Sequence, residues 1–425
     1  MPILGAIADD LTGGMELAAM LVGKGARVAF VTEISEVEGL SGVDAVIVAR
    51  KIRTAEPDVA VAEGQAAAAA FLGLGVRQIF YKYCATFDST DRGNIGPVAD
   101  QLADMTGAKT TLFCPSFPEV GRTVYQGYLF VFNQLVSESP KRFDPLTPML
   151  DPRLVDVLQR QSRRQVGLLD YATVRAGQEA MGRTIAELRT RGIQHVIADA
   201  ILPEDLAALA EFAADWPLLT GNSSIAEYLP QVWERRGWCQ LKDTAAEPAP
   251  VSGPGVVLAG SCAERTLEQL AAFAKSYPVL WIDLARVDCA TTAVEKALSW
   301  AAERLGAGPV AIATSASTEK VAAIQARLGR REAAKLAETI LGRLAAELRS
   351  LGVRRFLIAG GETSGVVVEN LGIRRFEVGS YRSPGIALAA TPGADPLGLC
   401  LKSGKLGEVD MFASTLELMT GKRNV

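Results

Sequence analysis

Short apolar runs alternate with amphipathic stretches along most of the chain. Residues 3–8, 28–32, 45–49, 78–82 and 110–114 read as strands. Residues 17–25, 58–72 and 95–105 read as the helices between them. This rhythm predicts a mainly parallel sheet with helices on both faces. It breaks over 115–152, a stretch rich in Pro, Phe and Tyr that reads as an elaborated loop or a small β insertion. It resumes with strand 166–169, helix 177–189, strand 195–198 and helix 204–214. Residues 242–255 (KDTAAEPAPVSGPG) hold Ala, Pro and Gly with few large apolar groups and read as a linker. Beyond it, strands are expected at 256–258, 279–282, 310–314 and 356–358. A long helix is expected over 330–351, with Ala334, Leu336, Ile340, Leu344 and Leu348 on its apolar side. The expected fold is α/β in two domains, 1–241 and 256–425, each a mainly parallel sheet flanked by helices.

Composition narrows the functional classes. The chain has 425 residues, 49% hydrophobic and 22% charged, enough apolar material for sizeable cores. A net charge of −4 gives no support for nucleic acid or an anionic membrane as partner. The first residues carry no basic segment and meet acidic residues early, so no signal peptide is read and a cytoplasmic location is expected. No apolar run reaches membrane-spanning length. The six cysteines are scattered without a C-x-x-C and read as lone buried thiols. His195 is the only histidine and reads as structural, which leaves proton transfer to carboxylates or lysines.

Three segments in the second half share one grammar: an apolar strand, a turn of small residues, then a helix start or basic residues. They are 358–372 (IAGGETSGVVVENLG), 256–266 (VVLAGSCAERT) and 399–407 (LCLKSGKLG). Gly360 and Gly361 let the backbone turn sharply beside a ligand, and Thr363 or Ser364 would cap the helix that follows. Free N–H groups at a helix start favour an anion, most often a phosphate. One nucleotide site at the carboxyl edge of an α/β sheet is expected. Neither a Walker-type G-x-x-x-x-G-K-[ST] nor a dinucleotide G-x-G-x-x-G after a strand is present.

In the first half, Asp9 and Asp10 follow the first strand directly and lead into Thr12, Gly13 and Gly14. One carboxylate would take a proton from a substrate hydroxyl; the plainer alternative is a helix cap with a solvated neighbour. Lys51, Arg53 and Lys82 follow other strands. Singly each reads as surface charge, but together they suit a pocket for a polyhydroxy acid. Asp88, Ser89 and Asn94 lie in a segment dense in hydroxyls and amides that would cap a helix, bind sugar hydroxyls, or both.

The blocks IADDLTGG, KYCATFDSTDRGNIGPV, GRTVYQGYLFV, DPLTPMLD, LAGSCAERT, IAGGETSGVVVENLGI and LKSGKLG resemble, in this order, the four-carbon acid sugar kinase family. The resemblance spans about residues 3–413. It implies a sugar-acid-binding first domain, a nucleotide-binding second domain and an active site in a cleft between them. It implies transfer from ATP, with Mg²⁺, to the C4 hydroxyl of a four-carbon sugar acid, most closely a 3-oxo-tetronate. Another small acid such as D-threonate or D-erythronate, or a non-catalytic binding protein, is the alternative. The resemblance implies Asp10 and Asp9 as catalytic residues. It implies Thr12, Glu16, Lys51, Arg53, Lys82, Asp88, Ser89 and Asn94 on the substrate side. It implies Ser261, Gly360, Gly361, Glu362, Thr363, Ser403 and Gly404 on the nucleotide side. Arg53, with Lys51, would hold the substrate carboxylate, and Lys405 would add charge near the phosphates. No protein-held metal is implied, and a homodimer is the default assembly. The chain departs from the family's usual residues at Met15, Glu16, Ile52, Tyr128, Asp144, Lys405 and Leu406.

Overall fold

The computed structural model describes residues 1–144, 146–244, 246–383 and 386–421. Pro145 of the DPLTPM block and residues 422–425 of the second domain lie outside them. The chain divides into two compact units, Met1–Ala245 and Ala246–Val425.

The first unit is built on eight parallel strands: β1 Leu4–Ala8, β2 Val28–Val31, β3 Ala45–Ala49, β4 Gln78–Lys82, β5 Thr111–Cys114, β9 Gln165–Leu169, β10 Ile193–Ala198 and β11 Leu218–Gly221. Between β5 and β9 run β6 Arg122–Tyr125, β7 Tyr128–Val131 and β8 Gln134–Leu135, which form a separate antiparallel sheet. The main order is β2-β3-β1-β4-β11-β5-β10-β9. Strands β1, β3 and β4 are buried throughout, which is why they read as continuous apolar runs. In register, Ala8 faces both Ala49 and Lys82, so these strands end level. From β1 the chain turns toward β2 and β3, then crosses back to β4 and on toward β5. The carboxyl ends of β1 and β4 therefore flank a topological switch point, where α/β sheets bind ligands.

Helix Leu11–Gly23 starts earlier than the expected 17–25, because Asp10 is its N-cap and accepts from Gly13 N. Helices Pro57–Leu74 and Ile95–Thr106 cover one sheet face, burying Phe71, Val98 and Leu102. The 115–152 stretch resolves as the β6–β7–β8 sheet, whose tight turn at Gln126 and Gly127 takes φ of 52° and 75°. Asp199 anchors that turn by accepting from both their N–H groups, at 2.7 and 2.8 Å. His195 is fully buried, with Nε2 2.8 Å from Asp100 Oδ1.

The second unit contains β12 Gly255–Ala259, β13 Val279–Trp281, β14 Val310–Ala313, β15 Arg355–Ala359, β16 Arg375–Ser383, β17 Ile386–Ala390 and β18 Gly398–Lys402. Their order is β13-β14-β12-β15-β18-β17-β16, parallel through β18, with β17 antiparallel to both its neighbours. The switch point here falls between β12 and β15. Helix Arg330–Ser350 buries Ala333, Ile340, Leu341, Leu344 and Leu348, while Ala334, expected inside, is exposed. Among the described residues no helix is long and apolar enough to cross a membrane. Cys114 and Cys400 are buried as expected, but Cys262 and Cys289 are exposed.

Candidate active site

At the first switch point, four charged side chains form one network. Arg53 grips Asp9 with two arms, Nε and Nη2, both at 2.8 Å. Its Nη2 also lies 2.9 Å from Asp10 Oδ1. Lys82 Nζ sits 3.4 Å from Asp10 and 3.9 Å from Asp9. Two anions and two cations balance, which makes their shared burial tolerable. Thr12 donates its hydroxyl to Asp10 Oδ2 at 2.7 Å. Gly13 is required here, since a Cβ would fall 1.7 Å from Lys82 Nζ and 2.4 Å from Asp10 Oδ1.

The two aspartates differ. Asp9 is only 2% exposed and both its oxygens are held by Arg53, whereas the Asp10 side chain is 24% exposed. Burial works to raise the Asp10 carboxyl, but Arg53 and Lys82 outweigh it and hold it well below the usual carboxylate range. Burial likewise opposes the Lys82 charge, and Asp10 and Asp9 keep that ammonium firmly protonated. Arg53 Nη1 is the one guanidinium nitrogen there without a bond among the described residues.

Other expected residues stand around this network in different roles. Glu16 accepts from the Ser223 hydroxyl at 3.0 Å, and burial raises its carboxyl. Asn94 Nδ2 donates to the carbonyls of Ile52 at 2.6 Å and Ala55 at 2.9 Å, so it secures the loop that carries Arg53. Ser89 accepts from Gln161 Nε2 at 2.8 Å and is buried. Asp88 pairs with Lys141 at 2.7 Å, and Lys141 also reaches Asp144 at 2.9 Å. Burial opposes the Asp88 charge, but Lys141 and Arg53 hold its pKa low. Lys51 is exposed.

At the second switch point the chemistry is different. Gly360 adopts φ 130° and begins helix Gly361–Asn370 without a side-chain cap. Thr363 and Ser364, expected as caps, lie inside that helix, and Ser364 donates back to the Gly360 carbonyl at 2.8 Å. The first N–H groups of the helix therefore stay available to a ligand. The neighbouring loops close in. A Cβ on Gly260 would meet Thr363 Oγ1 at 2.2 Å, and one on Gly404 would meet Ser261 Oγ at 2.0 Å. Ser261, Gly360, Gly361, Thr363 and Gly404 thus belong to one edge, with Glu362 exposed in the first helical turn. Thr266 donates to the Gly404 carbonyl at 2.8 Å. Gln269 Nε2 reaches the carbonyls of Leu406, Gly407 and Glu408 at 3.1, 3.2 and 2.9 Å. Among the described residues no three or more His, Cys, Asp or Glu side chains are grouped to hold a metal.

Sequence reasoning passed over Ser223, Lys141, Thr266 and Lys402. Ser223, Thr266 and the Asp88 partner of Lys141 sit far along the chain from the residues they meet and carry no local signal. Lys402 did carry one: a lysine that ends a buried apolar strand, as Lys82 does.

Residues 4–229 match the family model of a sugar-binding N-terminal domain, and residues 256–412 that of a nucleotide-binding C-terminal domain. The chain is 44% identical over 420 residues to a 3-oxo-tetronate kinase of Burkholderia multivorans, covering 99% of this chain and 98% of the relative. It is 45% identical over 423 residues to a 3-oxo-tetronate kinase of Pseudomonas fluorescens, with 99% and 98% covered. A solved structure from Salmonella typhimurium LT2, described as a putative tRNA synthase, superposes with a TM-score of 0.85 at 35% identity, with 96% and 97% covered. With both halves matched and relatives of this identity over almost its whole length, the chain belongs to the four-carbon acid sugar kinase family, whose members use ATP.

Proposed function

We propose that this sugar-acid kinase phosphorylates the C4 hydroxyl of a 3-oxo-tetronate, giving the 4-phosphate and ADP. The first domain, residues 1–241, takes the sugar acid; the second, 256–425, takes the nucleotide. The observation that carries the reading is Asp10: an ionised carboxylate, partly open, at a switch point between two cations.

Asp10 accepts the proton of the C4 hydroxyl as its oxygen attacks the γ-phosphoryl group. Asp9, with both oxygens held by Arg53, keeps that guanidinium in place. The open Nη1 of Arg53 is the arm for the substrate carboxylate, a contact that guanidinium geometry favours. Lys82 stabilises negative charge as the transferred group approaches. On the nucleotide side, the phosphates lie over the Gly360–Thr363 turn, with Ser261, Ser403 and Gly404 beside them. An Mg²⁺ would reach this edge on the nucleotide phosphates rather than on a cluster of protein carboxylates, and would neutralise part of the phosphate charge.

The substrate is tested by a coupled ADP-release assay with Mg²⁺-ATP against 3-oxo-tetronates, D-threonate, L-threonate and D-erythronate. Turnover on an oxo-tetronate alone supports the assignment. Turnover confined to another acid keeps the kinase and overturns the substrate. Glu16 gives the second reading its footing, because its longer side chain and its Ser223 hydrogen bond border the Asp10–Lys82 network. ATP binding with no turnover on any acid would remove the proposed reaction.

A further inference from the structure

Lys402 closes strand β18, and its side chain is completely buried. Among the described residues it makes no ion pair. Its Nζ donates to the carbonyl of Ser403 at 2.7 Å and to that of Gly404 at 3.2 Å, and lies 3.5 Å from Thr266 Oγ1. A buried ammonium facing only neutral acceptors is costly, and a fold retains one where it has work to do.

In a trans peptide the C=O and the next N–H point in opposite directions. Drawing the Ser403 and Gly404 carbonyls inward turns the N–H groups of Gly404 and Lys405 outward. Neither N–H has a protein partner among the described residues. Thr266 donates its hydroxyl to the same Gly404 carbonyl. The main chain of Lys402 ties in the second loop, since its own carbonyl accepts from Gly360 N at 2.9 Å. One residue thus touches both loops, through its main chain at Gly360 and through its side chain at Ser403 and Gly404.

We propose that Lys402 is a positioning residue for the nucleotide: its buried ammonium pins the Ser403 and Gly404 carbonyls so that the adjacent N–H groups face the phosphates. The inference rests on the reading of this edge as the nucleotide site. The lysine acts through the loop and touches no reacting atom.

The test is Lys402→Met in the full chain, with Thr266→Val as a second variant that keeps the lysine. ADP binding is measured by titration calorimetry. The KM for ATP, the KM for the accepted sugar acid and the unfolding midpoint are measured alongside. Lys402→Met is expected to weaken ADP and raise the ATP KM by about ten- to a hundredfold, the scale of a displaced binding loop. The sugar-acid KM is expected to stay within about twofold and the midpoint to hold or rise, since a buried unpaired charge has been removed. Thr266→Val is expected to shift ATP in the same direction by less. A purely structural lysine predicts the reverse: a lowered midpoint with unchanged nucleotide affinity in the folded fraction, and that result overturns the inference. Unchanged ADP affinity in both variants overturns it and leaves the sugar-acid assignment standing. A wild-type chain that binds no ADP overturns it together with the nucleotide reading beneath it.

Discussion

Lys82 and Lys402 each end a buried strand, one in each unit, and live in opposite surroundings. Lys82 ends β4, which flanks the first switch point, and Lys402 ends β18, one strand beyond the second and paired in parallel with β15. Lys82 faces Asp10 and Asp9, which keep its ammonium charged despite burial. Lys402 faces carbonyl oxygens, and burial pushes its pKa down to about 8, with Cys400 and Arg265 the other groups that act on it. The contrast agrees with the ligands proposed for the two edges. The first balances its own charges around one accessible carboxylate, which suits proton transfer from a neutral hydroxyl. The second leaves one positive charge and several N–H groups unanswered, which suits a polyphosphate.

The comparison breaks most visibly at Asp10. Asp10→Asn keeps the capping ability of the residue and removes its charge, so the helix survives and proton transfer does not. The turnover number is expected to fall about 10³-fold. Loss of only a few-fold would show that Asp10 is not the base. Gly13→Ala is expected to cost about 10²-fold in kcat/KM, because its Cβ would displace the Lys82 ammonium. Steady-state kinetics on the same acid check both.

The two lysines are best contrasted by unfolding. Lys82→Met leaves a buried aspartate pair short of one cation and is expected to destabilise by about 3 kcal/mol. Lys402→Met is expected to be neutral or stabilising. Equal losses in urea unfolding would erase the distinction drawn between them.

The pH dependence sharpens it. The folded-state pKa of Lys402 lies below its unfolded value, so the folded state binds fewer protons between the two. The penalty is complete below about pH 8 and is relieved as pH rises toward the unfolded value. The nucleotide-free wild type is therefore expected to gain stability relative to Lys402→Met between about pH 8 and 10. Burial raises the Cys400 thiol to about 12, so it stays neutral across that window, and arginine stays charged. A difference that is flat with pH would contradict this. The smallest effect belongs to His195. His195→Gln is expected to lower the unfolding midpoint by disturbing Asp100, with turnover within about twofold.

Much of the scaffold was legible because local pattern and burial agree. Strands β3 and β4 fall on the residues that the apolar runs marked, 45–49 and 78–82. Strand β11 and helices Leu154–Gln161 and Leu229–Arg235 lie outside the elements that the pattern predicts, and the first helix begins at Leu11, ahead of the expected 17. In the Gly360 turn, glycine content announced a close approach, but the caps assigned to Thr363 and Ser364 were wrong. The backbone there begins its helix at Gly361 and leaves the first turn uncapped.

By itself the sequence determined the alternation of strands and helices, the carboxylates and glycines at strand ends, and the likeness to a kinase family. Those features are local, written in spacing and residue type. Tertiary structure alone decided which of two adjacent aspartates is locked against Arg53 and which stays open. It alone gave Lys82 two carboxylates and Lys402 none. The physical reason is distance along the chain. The partners of Lys82 lie more than seventy residues upstream, and Thr266 lies 136 residues before Lys402. A charge is set by what folds around it, and an identical lysine at the end of an apolar run carries no mark of which surroundings await it.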